Sequence, residues 1–125
     1  MTLRSDPHRV RGSITPLITP FTTEGEVDHA ALANLVRWQL AHGTHGLSIG
    51  GSTGEPSSQT IAERLAAIRT VVETADGRVP VVPGTGSAKL DETIELTAAA
   101  AELGVAAVLI ISPYYAHPRD GFTLS

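Results

Sequence analysis

Hydrophobic and polar positions along this chain alternate between two rhythms. Short apolar runs bounded by Gly or Pro read as buried strands, and longer stretches with apolar residues at helical spacing read as amphipathic helices. Ser13-Ile14-Thr15-Pro16-Leu17-Ile18-Thr19 is the first strand of this pattern, closed by Pro20. Asp28 is a suitable N-cap for a helix reaching about Ala41, with Leu32, Leu35, Val36 and Leu40 on one face and Gly43 as its stop. Leu47 to Gly50 reads as the second strand. Thr60-Ile61-Ala62-Glu63 is a capping box that opens a second helix. Its expected buried stripe is Ile61, Leu65, Ile68 and Val72, and Asp76-Gly77 ends it. Val79 to Pro83 is the third strand, a third helix runs from about Leu90 to Leu103, and Val105 to Ile111 is the fourth strand. Pro113-Tyr114-Tyr115 turns out of that strand, and a further helix is expected from Asp120.

The pattern repeats near the ~30-residue length of a βαβ unit. Alternating strands and helices predict a parallel sheet with right-handed crossovers. The Gly-rich, hydroxyl-bearing and Tyr-bearing segments all follow strands: Thr19-Pro20, Gly51 to Glu55, Gly84-Thr85-Gly86 and Pro113 to Tyr115. The segments after helices are short Gly turns. Ligands of α/β folds bind at the C-terminal ends of strands, so the candidate chemistry falls at the expected end.

Composition sharpens this picture. Hydrophobic residues make up 42% and charged residues 18%, which excludes a disordered chain. Aromatics are only 4%, which suits aliphatic parallel strands and Ala-rich helices. A net charge of −4 gives no bulk attraction to nucleic acid or anionic lipid. Cysteine is absent, which removes a disulfide framework and thiolate chemistry and is compatible with a cytoplasmic location. No run approaches the length of a membrane span. Residues 1–11 carry Arg4, Arg9 and Arg11 with no apolar stretch behind them; they are expected to be an N-terminal arm rather than a signal peptide.

Among the motifs, Gly51-Ser52-Thr53-Gly54-Glu55 carries most. Small residues let backbone N–H groups approach a ligand, and the two hydroxyls add donors. Glu55 stands where a phosphate loop requires Lys, and no GxGxxG follows the first strand, so nucleotide readings fail. A carboxylate-binding turn and an ordinary strand-to-helix turn both remain, with Glu55 expected to tie the turn together. Gly84-Thr85-Gly86 reads as a tight turn. Tyr114 and Tyr115 are rim aromatics or, for one of them, a proton relay. His42 and His45 flank a helix end and are read as capping groups, whereas His117 is open between lining the site and facing solvent. Lys89 is the only lysine in the chain and sits in a polar stretch, where a solvated ammonium is expected.

Taken together, Thr19-Pro20-Phe21, Gly51-Ser52-Thr53-Gly54-Glu55, Pro83-Gly84-Thr85-Gly86 and Pro113-Tyr114-Tyr115 resemble, in order and spacing, the dihydrodipicolinate synthase / N-acetylneuraminate lyase family of pyruvate-dependent aldolases. The resemblance covers nearly all of the chain from Gly12 onward. It implies a (β/α)8 barrel and a Schiff base between a barrel lysine and pyruvate, with no cofactor and no metal. It implies that Ser52 and Thr53 bind the pyruvate carboxylate, that Ser52 joins a proton relay, and that Tyr115 is the relay tyrosine that crosses a dimer interface. The first hydroxyl of the pair is usually Thr in the synthases; Ser52 is also similar to the lyase branch. Pro118 after the Tyr pair looks more like the synthases.

The expected fold is therefore α/β, the N-terminal half of a TIM (β/α)8 barrel: four parallel strands in sequential order with three complete helices, spanning residues 12–125. A complete barrel takes about 250 residues, so the Schiff-base lysine and a second relay tyrosine are expected beyond Ser125, and this chain alone is expected to be inactive. Its first and fourth strands would be open edges, which predicts marginal stability or self-association. The expected partners are pyruvate and an aldehyde such as aspartate semialdehyde, within a homodimer or homotetramer, with no nucleic acid and no membrane. The competing readings are a catalytically dead half-barrel that binds a carboxylate or a partner subunit, another family branch, and a flavodoxin-like open sheet with strand order 2-1-3-4.

Overall fold

The computed structural model describes residues 10–112. The element order is β1 (Ile14–Pro16), α1 (His29–Ala41), β2 (Gly46–Ser48), two short 3-10 turns (Ser52–Gly54 and Pro56–Ser58), α2 (Ile61–Ala75) and α3 (Leu90–Glu102). β1 and β2 pair in parallel, with Ile14 opposite Gly46 and Pro16 opposite Ser48. Leu47 then bridges Val81, and Gly84 bridges Leu109, both in parallel. The lateral order thus follows the sequence, which removes the 2-1-3-4 reading.

The expected count of four strands is corrected: among the described residues there are two strands and two isolated parallel bridges. Proline supplies the reason. Pro80 and Pro83 have no N–H to donate, so the third segment cannot complete a continuous ladder. It still makes the bonds open to it. Leu47 donates to the Pro80 carbonyl (3.0 Å), Val82 to Leu47 (2.8 Å) and Gly84 to Ile49 (2.8 Å). The fourth segment joins through Ala106 to Val81 (2.9 Å) and Leu109 to Pro83 (2.9 Å).

The three helices form where their caps and periodicity place them. Asp28 accepts from the Ala31 N–H at 2.9 Å. Thr60 accepts from Glu63 N–H at 3.1 Å while Glu63 accepts from Thr60 N–H at 2.8 Å, closing the capping box. Leu32 and Val36 of α1, Ile68 and Val71 of α2, and Leu96 and Ala100 of α3 pack with Leu17, Leu47, Ile49 and Val81 in one core. The buried face of α2 differs from the expected stripe. Arg64, Ala67, Ile68, Val71 and Ala75 are buried, and Ile61, Leu65 and Val72 lie at its margin. Alanine at 67 and 75 brings the helix close, and Arg64 is inward because its guanidinium finds carbonyls there. The expected helix from Asp120 lies outside the described residues.

His42 caps α1 as expected: its Nδ1 lies 2.7 Å from the Trp38 carbonyl, and the two rings stack at 3.8 Å. His45 does something else. It accepts from the Ser13 N–H at 2.9 Å through Nδ1, tying the start of β1 to the start of β2. A backbone amide can only donate, so the bond requires an unprotonated Nδ1. His45→Phe removes the acceptor, and it is expected to lower the urea midpoint by an amount worth about 1 kcal/mol. A His45→Phe midpoint equal to wild type would count against this clamp.

Candidate functional site

The Gly50-to-Gln59 segment is built on a close crossing of two backbones. Gly50 has φ +83°, and a Cβ placed there would stand 2.8 Å from the Gly84 carbonyl oxygen. A Cβ on Gly84 would stand 2.5 Å from the Gly50 oxygen. Glycine at both positions lets the ends of the second and third segments touch, and the chain then lifts into the Ser52–Gly54 turn. Gly54 N–H donates to Gly51 O at 2.8 Å and Glu55 N–H to Ser52 O at 3.1 Å. Gly54 is buried beneath the turn, and Ser52 and Thr53 are exposed at its tip. Among the described residues no hydrogen bond engages either hydroxyl, so both can turn towards an acceptor in solution.

Glu55 is exposed and left-handed, with φ 53° and ψ 55°. The tying role expected of it falls to Gln59 instead. The Gln59 Nε2 donates to Gly54 O at 3.0 Å, with longer approaches of 3.4 Å to Thr19 Oγ1 and to Glu55 O. Thr19, at the exit of the first segment, is only 6% exposed.

Gly84-Thr85-Gly86 is not the tight turn expected of it: it continues the extended third segment, with Gly84 bridging Leu109 and the Thr85 N–H donating to Leu109 O at 3.0 Å, and it is anchored more firmly than its sequence discloses. Thr85 is fully buried and shares a 2.8 Å hydrogen bond with Thr97 of α3. Arg64, 5% exposed, donates through NH2 to Gly84 O and through NH1 to Gly86 O, each at 2.8 Å. Beside this clamp a pocket of about 330 Å³ opens between Thr60, Arg64, Ser87 and Glu92; neither Ser52 nor Thr53 lines it.

Lys89 is exposed at the start of α3, as the polar stretch around it predicts. Tyr114, Tyr115 and His117 lie outside the described residues. Glu24, in the loop after the first segment, has its carboxyl held below the usual range, first by its own backbone N–H and then by the Thr23 and Thr22 hydroxyls. Among the described residues no three His, Cys, Asp or Glu side chains converge as metal ligands, and no helix is long and apolar enough to cross a membrane.

Sequentially ordered parallel segments, helices packed against them, and a hydroxyl-bearing turn at the strand ends define an α/β protein. Residues 9–121 match the model of the dihydrodipicolinate synthetase family. The chain belongs to that family. It is 51% identical over 110 residues to the 4-hydroxy-tetrahydrodipicolinate synthase of Thermus thermophilus, covering 88% of this chain and 36% of the relative. It is 49% identical over 109 residues to that of Acidithiobacillus ferrooxidans, covering 87% and 38%. The crystal structure of the Aquifex aeolicus dihydrodipicolinate synthase superposes with a TM-score of 0.82 at 43% identity, over 86% of this chain and 36% of that one. An Escherichia coli K12 prophage protein of the family, solved with pyruvate, superposes at 0.85 with 37% identity, over 88% and 37%. The chain therefore spans little more than a third of the length of these relatives.

Proposed function

We propose that this chain supplies the carboxylate-binding part of a Schiff-base-forming, pyruvate-dependent lyase similar to 4-hydroxy-tetrahydrodipicolinate synthase, built as part of a (β/α)8 barrel. The observation that carries the reading is the exposed Ser52–Thr53 hydroxyl pair on a pinned turn at the end of β2. A pyruvate carboxylate accepts from both hydroxyls, and hydrogen bonds to an ionised acceptor are short and strong. Held there, the ketone carbon is presented to an amine, which adds to it and expels water to leave an imine. Ser52 and Tyr115 then relay protons to and from the reacting atoms. Relatives named as synthases and a relative solved with pyruvate support this assignment.

The nucleophile does not come from Lys89, which is exposed and lacks the desolvation that activates Schiff-base lysines. The second substrate is an aldehyde such as aspartate semialdehyde, and the working assembly is a homodimer or homotetramer in the cytoplasm. Borohydride reduction in the presence of pyruvate is expected to trap no adduct on the 125-residue chain and one adduct per subunit on a longer polypeptide that carries this sequence in a full barrel. In that longer protein Ser52→Ala is expected to weaken pyruvate capture roughly 10- to 100-fold, the loss of one hydrogen bond to a charged group. An adduct on Lys89 would overturn the reading. Pyruvate binding without turnover in the full barrel would instead favour a non-catalytic carboxylate-binding protein.

A further inference from the structure

The Ser52–Thr53 turn contains a strained residue, and one side chain outside the turn holds it. Glu55 is a non-glycine residue in the left-handed region, with φ 53°. Such a residue persists only where its surroundings over-determine it, and such strain gathers at functional sites. The turn's own hydrogen bonds, Gly54 to Gly51 and Glu55 to Ser52, close it but do not attach it to the rest of the fold. Gln59 makes that attachment. Its amide faces two carbonyls, Gly54 O at 3.0 Å and Glu55 O at 3.4 Å, and the Thr19 hydroxyl oxygen at 3.4 Å. Carbonyls cannot donate, so the NH2 end of the amide must point at them. One NH2 group thereby joins the exit of the first segment, the turn after β2 and the start of α2.

The anchor is rigid at its own base. Gln59 immediately precedes Thr60, whose capping box fixes the first turn of α2. Thr19 is equally fixed: it is buried, and a Cβ on Gly54 would stand 3.0 Å from its Oγ1. The hydroxyl pair sits on the two residues just before Gly54, so a shift of the Gly54 carbonyl displaces both.

We infer that Gln59 is a positioning residue for the carboxylate clamp: it orients Ser52 and Thr53 through the Gly54 and Glu55 carbonyls without touching the ligand. This rests on the functional reading above only for the identity of the ligand. Gln59→Leu keeps the volume and removes the donor. Gln59→Glu keeps the shape and, while ionised, turns an acceptor towards two carbonyls; once protonated it regains one donor.

The test uses NMR with pyruvate as probe on the longer polypeptide that carries this sequence in a full barrel, together with hydrogen exchange of the Gly54 and Glu55 amides without ligand. Gln59→Leu is expected to weaken pyruvate binding about tenfold and speed both exchanges about tenfold, with the core amides of α1 and α2 unchanged. Gln59→Glu is expected to behave like Gln59→Leu near neutral pH and to regain affinity relative to wild type on acidification, as its carboxyl takes up a proton and one donor returns. A merely space-filling role would show no such recovery. Wild-type affinity and exchange in folded Gln59→Leu would overturn the inference, as would Gln59→Glu matching wild type at neutral pH. If wild type binds no pyruvate, the ligand assignment fails and the exchange rates alone decide the role of Gln59.

Discussion

Arg64→Met is expected to lower the stability of this chain by about 2–4 kcal/mol, the largest loss from any single side chain on the sheet side of α2. Two carbonyls, Gly84 O and Gly86 O, each lose a 2.8 Å bond from the guanidinium. Gly84 is buried, so water cannot replace the donor there without opening the core. A protein of this size is stable by only ~5–15 kcal/mol, so the loss takes a large share of the total. The measurement is a urea midpoint at unchanged slope. Arg64→Lys is expected to fall between wild type and Arg64→Met, because an ammonium lacks the planar fork that reaches both carbonyls. A midpoint for Arg64→Met equal to wild type would remove Arg64 from the account of how the third segment is held.

Gly84→Ala is the second large effect, and it acts through backbone rather than side chain. The added methyl would stand 2.5 Å from the Gly50 oxygen and 2.8 Å from the Gly50 carbonyl carbon, both main-chain atoms that cannot rotate away. The 2.8 Å bond from Gly84 N–H to Ile49 O has to lengthen as the segments part. A cost of about 3 kcal/mol or more is expected, at the upper end of overpacking effects. Gly51→Ala is the control. Gly51 has φ −77° and nothing within 4 Å of a Cβ. There alanine is expected to be neutral or to stabilise by about 0.4–1 kcal/mol, by narrowing the unfolded ensemble. Equal denaturation midpoints for Gly84→Ala and Gly51→Ala would show that the crossing of the two backbones is not tight.

Both effects concern interactions that the one-dimensional pattern hides to different degrees. The helices were legible nearly to the residue because their signals are local. Asp28, the Thr60–Glu63 box and the glycines after each helix act on their own few neighbours. Lys89 as a surface group and Gly51 to Glu55 as a turn were legible for the same reason. The strands were less so. Val79 to Pro83 has the composition of a buried strand, but its prolines withhold the donors from which a ladder is made.

Arg64 shows what a hydrophobic count misses. It lies in phase with Ile68, Val71 and Ala75, so the signal was present in the spacing, but a charged residue reads as a solvent position until its acceptors are known. His45 was misread in a similar way, as a helix cap, because its partner Ser13 is 32 residues away. Gln59 carried no signal at all: an amide beside a helix cap is ordinary until the Gly54 and Glu55 carbonyls turn towards it.

The sequence by itself determined the alternation of strand and helix, the parallel sense of the sheet, the end at which the hydroxyl pair stands, and the family. These follow from periodicity, caps and motifs, which are properties of neighbouring residues. Only the tertiary structure decided which side chains hold that pair in place. The Gly50–Gly84 crossing, the Arg64 clamp and the Gln59 brace each join groups distant in sequence, and a hydrogen bond or a contact depends on distance in space, which local pattern does not record.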